Sequence, residues 1–193
     1  MKRLKVVPLI AVLFLAAGAA QASTVVGLSI EDQARLCEMV VVGEVVAQRG
    51  VDHPRNGIET AVTLRVTDVL KGDVSPGLTV IFHTRGGQVG HEISEAIGEA
   101  VFQTGQTALV FIERVEGRLY NLGLSMGVWD VHEDGRGGRL FTRAVRDGLV
   151  VVGAEAVEHG PVAFDDMASR VGHANRNPRF DNQMLRAAHG QGR

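Results

Sequence analysis

Between Ile58 and Gly72 the chain reads IETAVTLRVTDVLKG. Ile58, Thr60, Val62, Leu64 and Val66 fall on one face, and Glu59, Ala61, Thr63, Arg65 and Thr67 on the other. A two-residue period held for about nine residues predicts a strand with one face on a core and one toward solvent. The phase slips at Asp68, where Val69 and Leu70 stand side by side before Lys71 and Gly72, so a bulge or tight bend is expected there.

Upstream, Ser29 can cap a helix whose first turn carries Glu31 and Asp32, and Ile30, Ala34 and Cys37 recur on one stripe. Met39 to Val46 is β-branched and nearly continuous, which predicts a strand covered on both faces, with Gly43 marking a kink or a close backbone approach. Asp52 to Gly57, with a proline and an Asn-Gly pair, predicts a long polar loop that joins residues 39–67 into an antiparallel hairpin. A turn at 73–77 precedes a third strand at 78–84. Residues 85–105 are Gly-rich and aperiodic, expected as a long loop with a short turn of helix near Ser94 to Ile97. Further strands are predicted at 107–113, 118–122 and 127–132, with a hairpin turn at Glu116-Gly117 and a Gly-rich turn at 133–138. Residues 139–143 and 149–152 would form a last hairpin. Phe164, Met167 and Val171 lie at helical spacing after Asp165 and Asp166, and Gly172 is placed as a stop. Six or seven short strands with turn signals roughly every 8–15 residues predict a mainly β fold, a small antiparallel barrel of the oligomer-binding type with a short helix at each end.

Composition sharpens the domain picture. Lys2, Arg3 and Lys5, the apolar run Val6 to Ala17 and Ala20-Gln21-Ala22 form the three parts of a secretory signal peptide, so 1–22 is expected to be removed and the mature chain to begin at Ser23. Residues 23–172 would make one domain, followed by a disordered basic tail at 173–193. No later segment has the uninterrupted apolar length of a spanning helix. Cys37 is the only cysteine, which precludes an internal disulfide and points to a buried thiol packed as a small hydrophobe. Residues 23–169 hold 12 basic against 21 acidic side chains, a net of −9, and residues 170–193 hold five arginines and one aspartate, a net of +4. An acidic body with aromatics at 5% argues against nucleic acid as a partner.

Val41-Val42-Gly43-Glu44-Val45, then Leu64 to Gly72 ending in Val-Leu-Lys-Gly, then Phe102-Gln103-Thr104-Gly105-Gln106 leading into Leu109-Val110-Phe111, resembles the tissue-inhibitor-of-metalloproteinase/netrin-like fold over about residues 39–129. It is most similar to uncharacterised exported bacterial proteins with this strand order. The resemblance implies a small oligomer-binding-type barrel. The animal inhibitors begin at a disulfide-bonded cysteine that chelates the target's zinc, whereas the predicted first residue here is Ser23, so none of their functional residues carries over.

Candidate chemistry is sparse. Arg85, Gly86, Gly87 and His91 stand in a Gly-rich loop after a strand. No helix follows at once to complete a phosphate cradle, so these residues are candidate polar contacts for a small or peptidic partner on a flexible loop. The seven histidines are scattered without a paired spacing, and no metal or other cofactor is expected. Gly-Leu-Ser125-Met-Gly127 spells the esterase elbow, but Ser125 sits between predicted strands, as in a hairpin turn. Lys71 is the only lysine of the predicted mature chain and is expected to reach into solvent. Trp129 and Tyr120 are expected in the core or at the barrel mouth. Together these features predict an exported, periplasmic or extracellular, non-enzymatic module that binds a secreted protein or peptide. A proteinase inhibitor and, from another class, a hydrolase using Ser125 are the alternatives.

Overall fold

The computed structural model describes residues 23–153 and 156–176. The predicted leader and residues 177–193 of the predicted tail lie outside the described residues. The order of elements is β1 (Ser23–Val26), a first helix (Ile30–Leu36), β2 (Met39–His53), β3 (Gly57–Lys71), β4 (Thr79–Arg85), β5 (Gly87–Val89), β6 (Glu92–Ser94), β7 (Thr107–Val115), β8 (Arg118–Asn121), a single 3-10 turn (Leu124–Gly127), β9 (Val128–Glu133), β10 (Arg139–Arg143), β11 (Leu149–Val152), β12 (Val162–Ala163) and a last helix (Phe164–Arg176). The fold is mainly β with two helices, as expected. Among the described residues no helix is long and apolar enough to cross a membrane.

Eight strands share one sheet in the order β12-β10-β9-β7-β2-β3-β4-β8, and β8 also pairs with β7. The strands β7, β2, β3, β4 and β8 therefore close into a ring. All of its pairings are antiparallel except the last seam, where β8 meets β4 in parallel through the pair His83 and Tyr120 alone.

The alternation of β3 sorts its side chains as the sequence predicts. Val62, Leu64 and Val66 turn inward with Val41, Val45, Val80, Phe82, Val110 and Ile112, and Phe102 meets Phe82 edge-on at 5.3 Å. The opposite face of β2 and β7 carries Val40, Val42, Leu109 and Phe111. These pack with Trp129 and Phe141 under Ile30, Ala34 and Cys37 of the first helix and its C-cap and under Met167, Val171 and Ala174 of the last. Each face of the central strands is thus buried by something different, which is why Met39 to Val46 reads as a continuous apolar run.

The long hairpin of β2 and β3 bends where the phase slip predicts. Val42 pairs with Asp68 but Gly43 with Val66, and Val40 with Lys71 but Val41 with Val69, leaving Thr67 and Leu70 as extra residues on β3. Gly43 sits at this bend. A Cβ there would lie 2.5 Å from the Arg65 carbonyl oxygen and 2.8 Å from Leu64 Cγ, so the two backbones approach as only glycine permits. Gly43→Ala is expected to lower stability by about 1–3 kcal/mol, read as a reduced urea midpoint with an unchanged slope.

Several expectations are corrected. Asp52 and His53 belong to β2, so the polar loop shortens to a tight turn at 54–56. Residues 87–94 form the β5–β6 hairpin rather than a flexible loop, and the segment after Ser94 is a turn rather than a helix. The strand at 149–152 pairs in parallel with β1, while β10 pairs with β9 and β12, so the predicted last hairpin does not form. The last helix continues through Gly172 to Arg176 and buries Ala174, which moves residues 173–176 from the predicted tail into the body. A Cβ on Gly172 would only touch Arg176 Nη1 at 3.8 Å, so at mid-helix the glycine costs only backbone entropy.

Lys71 does not reach into solvent. Its Nζ donates to the carbonyls of Ala34 and Cys37, both at 2.6 Å, and so satisfies the end of the first helix. Cys37 is buried, as expected, and burial pushes its thiol up to about 11. Arg170 of the last helix clasps Glu31 of the first through Nε at 2.6 Å and Nη2 at 3.1 Å, and it donates to Glu158 at 2.9 Å. The Arg170 hydrogen bonds hold the Glu31 carboxyl below the usual glutamate range. A carboxyl lowered in the folded state adds stability above its unfolded pKa and loses it as pH falls through the folded value. Arg170→Ala is therefore expected to cost about 1–3 kcal/mol at neutral pH. The gap from the parent protein should close as the pH drops below the glutamate range, measured as urea midpoints across pH.

Candidate functional site

The outward face of the ring carries an unusual density of charge where β3, β4, β8 and β7 come together. Alternation sends Glu59 and Ala61 of β3, His83 and Arg85 of β4, Arg118 and Tyr120 of β8 and Glu113 of β7 to that side. The register sets Glu59 opposite Arg85, His83 beside Tyr120, and Tyr120 opposite Glu113.

Alternation alone assigns Glu59 to the solvent face, yet the structure buries it fully. Arg118 Nη2 donates to its Oε2 at 3.0 Å, and the Tyr120 hydroxyl and Asn56 Nδ2 donate to its Oε1 at 2.9 and 2.8 Å. Arg118 and Tyr120 reach it from β8, on the far side of β4, and cover it. Burial, together with the Glu59 hydrogen bond and charge, raises the Tyr120 phenol above its ordinary value. His83 Nδ1 donates to the Leu119 carbonyl at 3.2 Å, and burial lowers the pKa of the ring.

A second buried carboxylate, Glu99, comes from the segment after β6. It accepts from the backbone N–H of Arg85 at 3.1 Å and of Ala100 at 2.9 Å, and from Asn121 Nδ2 at 2.8 Å. Glu99 thereby fixes the end of β4 against the end of β8.

Around these groups opens a cleft of about 490 Å3. One wall is the β2–β3 turn with His53, Arg55 and Asn56, and another is the β7–β8 turn with Val115 and Glu116. Arg55 and Glu116 form an ion pair that links the two turns. Arg85, Glu113, Arg118, Tyr120, Glu99 and Asn121 line the interior, and Thr24 and Val25 of β1 flank it. Glu113 is half-buried, and among the described residues its carboxylate has no hydrogen-bond partner. Burial pushes that carboxyl above the usual range, while the nearby Arg85 charge pulls it back. An open depression of about 730 Å3 adjoins the cleft across Arg118, over Arg49, Val51, Ala61, Ile81 and His83.

Of the four residues singled out in the sequence, Arg85, Gly86 and Gly87 line one depression of about 160 Å3 and His91 does not. Arg85 also lines the cleft, and among the described residues its guanidinium forms no hydrogen bond. His91 stands exposed at the tip of the β5–β6 hairpin and lines neither the cleft nor that depression. The glycines are there for the backbone. Gly87 has φ +136, and a Cβ on it would lie 2.3 Å from Thr60 Oγ1, so this strand start can hug β3. Ser125 is fully buried in the 3-10 turn, and its Oγ accepts from the Arg146 backbone N–H at 3.2 Å. Trp129 is in the core, and Tyr120 forms part of the cleft.

Nothing in the sequence marks Glu113, Glu99 or Glu59, because each reads as an ordinary polar position of a strand or loop. The one available signal is Arg118-Leu119-Tyr120, which puts a cation and a phenol on one face of a short strand. Among the described residues no group of three or more His, Cys, Asp or Glu side chains is placed to hold a metal ion. No protein-family model matches the chain, and no curated protein matches it.

Proposed function

We propose that the chain is an exported, non-enzymatic binding module, and that its ring of strands is a small barrel of the oligomer-binding type that takes a secreted protein or peptide partner in the cleft. The barrel assignment is supported by the pairing order of the ring, a three-strand meander closed by one parallel and two antiparallel seams. Export rests on the leader-like pattern of residues 1–22.

The observation that carries the binding role is the position of the cleft. It lies between the turn joining the first two strands of the ring and the turn joining its last two, on the outward face, where barrels of this type hold elongated ligands. The lining favours a peptide over an oligonucleotide. Acidic Glu113 and Glu116 stand among the arginines, and Tyr120 is the only aromatic ring apart from His53. The buried carboxylates Glu59 and Glu99 are committed to structural hydrogen bonds, and Ser125 has its hydroxyl inside the core, so none of the three offers a reacting group to the cleft.

The test is capture from the native cell envelope and medium with tagged protein starting at Ser23, run beside an Arg85→Ala, Glu113→Ala double variant of unchanged circular dichroism. A partner retained by the parent and lost by the variant is the expected result. Equal retention by both would place binding elsewhere on the molecule.

A further inference from the structure

Resting on the cleft as the binding site, a narrower inference concerns the charge pattern of what enters it. Most charges around the cleft are already answered by the protein. Arg55 pairs with Glu116, Arg118 with Glu59, and Glu99 accepts from two backbone amides and Asn121. Two lining charges lack a close partner, although the Arg85 charge acts on Glu113 from a distance. The Arg85 guanidinium and the Glu113 carboxylate form no hydrogen bond or ion pair among the described residues, either with other side chains or with each other, although both line the same cleft. They come from different strands of the ring, β4 and β7, with β8 between them. A half-buried carboxylate without a partner is costly, and a ligand that brought only an anion for Arg85 would leave that cost in place. Arg85 is exposed, so its guanidinium is solvated in the free protein and open to a ligand anion at the edge of the cleft.

We infer that the cleft recognises a dipolar ligand, a short peptide with both termini free, whose carboxylate meets Arg85 and whose ammonium meets Glu113. The apolar side chains Val25, Val115 and Leu124 on the walls face the uncharged stretch between the two ends. A volume of about 490 Å3 is in the range of small-ligand sites and accommodates a few residues rather than a folded partner.

Tri-alanine is the probe, because its termini are its only charges. Calorimetric titration of the protein starting at Ser23 compares it with its N-acetyl and C-amide forms. Blocking either end is expected to weaken binding by roughly tenfold or more, the size of one charge-assisted hydrogen bond. Glu113→Gln is expected to abolish the discrimination against the N-acetyl form and keep that against the amide, and Arg85→Gln the reverse. Failure of free tri-alanine to bind at millimolar concentration, or equal binding of all three forms, overturns the inference. The peptide forms on the parent protein decide the matter even if a variant fails to fold. If tri-alanine fails while a protein is still captured through Arg85 and Glu113, the dipolar-ligand inference falls and the wider peptide-binding function stands. Loss of both removes the cleft as a site.

Discussion

Replacing Glu59 by alanine is expected to cost about 3–5 kcal/mol, the range for breaking a buried ion pair by removing one partner. Its carboxylate is fully buried and receives Arg118, Tyr120 and Asn56 together. Alanine would leave a void under Arg118 and remove its carboxylate partner, and Arg118 Nε already lacks a partner. Glu59→Gln keeps the shape and part of the hydrogen bonding, so a smaller loss of about 1–3 kcal/mol is expected. Urea unfolding measures both. Tyr120 is the only tyrosine in the chain, so phenolate absorbance against pH reads this cluster alone. Because the Glu59 hydrogen bond and charge help raise the phenol, its titration should move back toward the ordinary tyrosine value in Glu59→Ala. A variant with parent-like stability and an unmoved phenol would show that Glu59 does not organise the cluster.

Trp129→Ala is the second large effect, about 3–5 kcal/mol for truncating a fully buried tryptophan. The indole joins the β9 and β7 faces to the two helices, and the Arg143 guanidinium stacks on it with its carbon 4.1 Å from the ring centre. Burial already pulls Arg143 down to about 10, and it donates one hydrogen bond, to the Met126 carbonyl. Removing the indole takes away its platform and opens a cavity in the same step. Trp129→Phe preserves most of the packing and should lose clearly less. Since Trp129 is the only tryptophan, unfolding of both variants is followed by far-ultraviolet circular dichroism. Equal stability of parent and alanine variant would mean that the helices do not depend on this contact.

Local patterning carries much of the fold. Ser29 caps the first helix through its Oγ, which accepts from the Asp32 backbone N–H at 3.1 Å, where the sequence places the cap. The strand from Ile58, the slip at Asp68 and the close approach at Gly43 all follow from residue type and spacing. These features depend on neighbours a few positions away, and side-chain alternation reports them directly. The misplaced features are those that depend on distant pairing. Residues 87–94 lack hydrophobic periodicity because their hairpin rests on β2 and β3 rather than on a core of its own. An apolar run such as Leu149 to Val152 carries a strand signal but says nothing of its partner. It pairs with β1, more than a hundred residues earlier, instead of β10.

The class of fold, the two helices, the hairpin of β2 and β3 and its bend are all dictated by the chain's own local alternation, capping and glycine placement. Which polar residues matter is settled elsewhere, by the closing of the ring. Closure sets β8 against β4, and that seam buries Glu59 under Arg118 and Tyr120, ties Glu99 to Arg85 and Asn121, and leaves Arg85 and Glu113 in one cleft. A carboxylate on the polar face of a strand looks solvated until the strand that roofs it is known. That strand lies some sixty residues further along, beyond the reach of any local pattern.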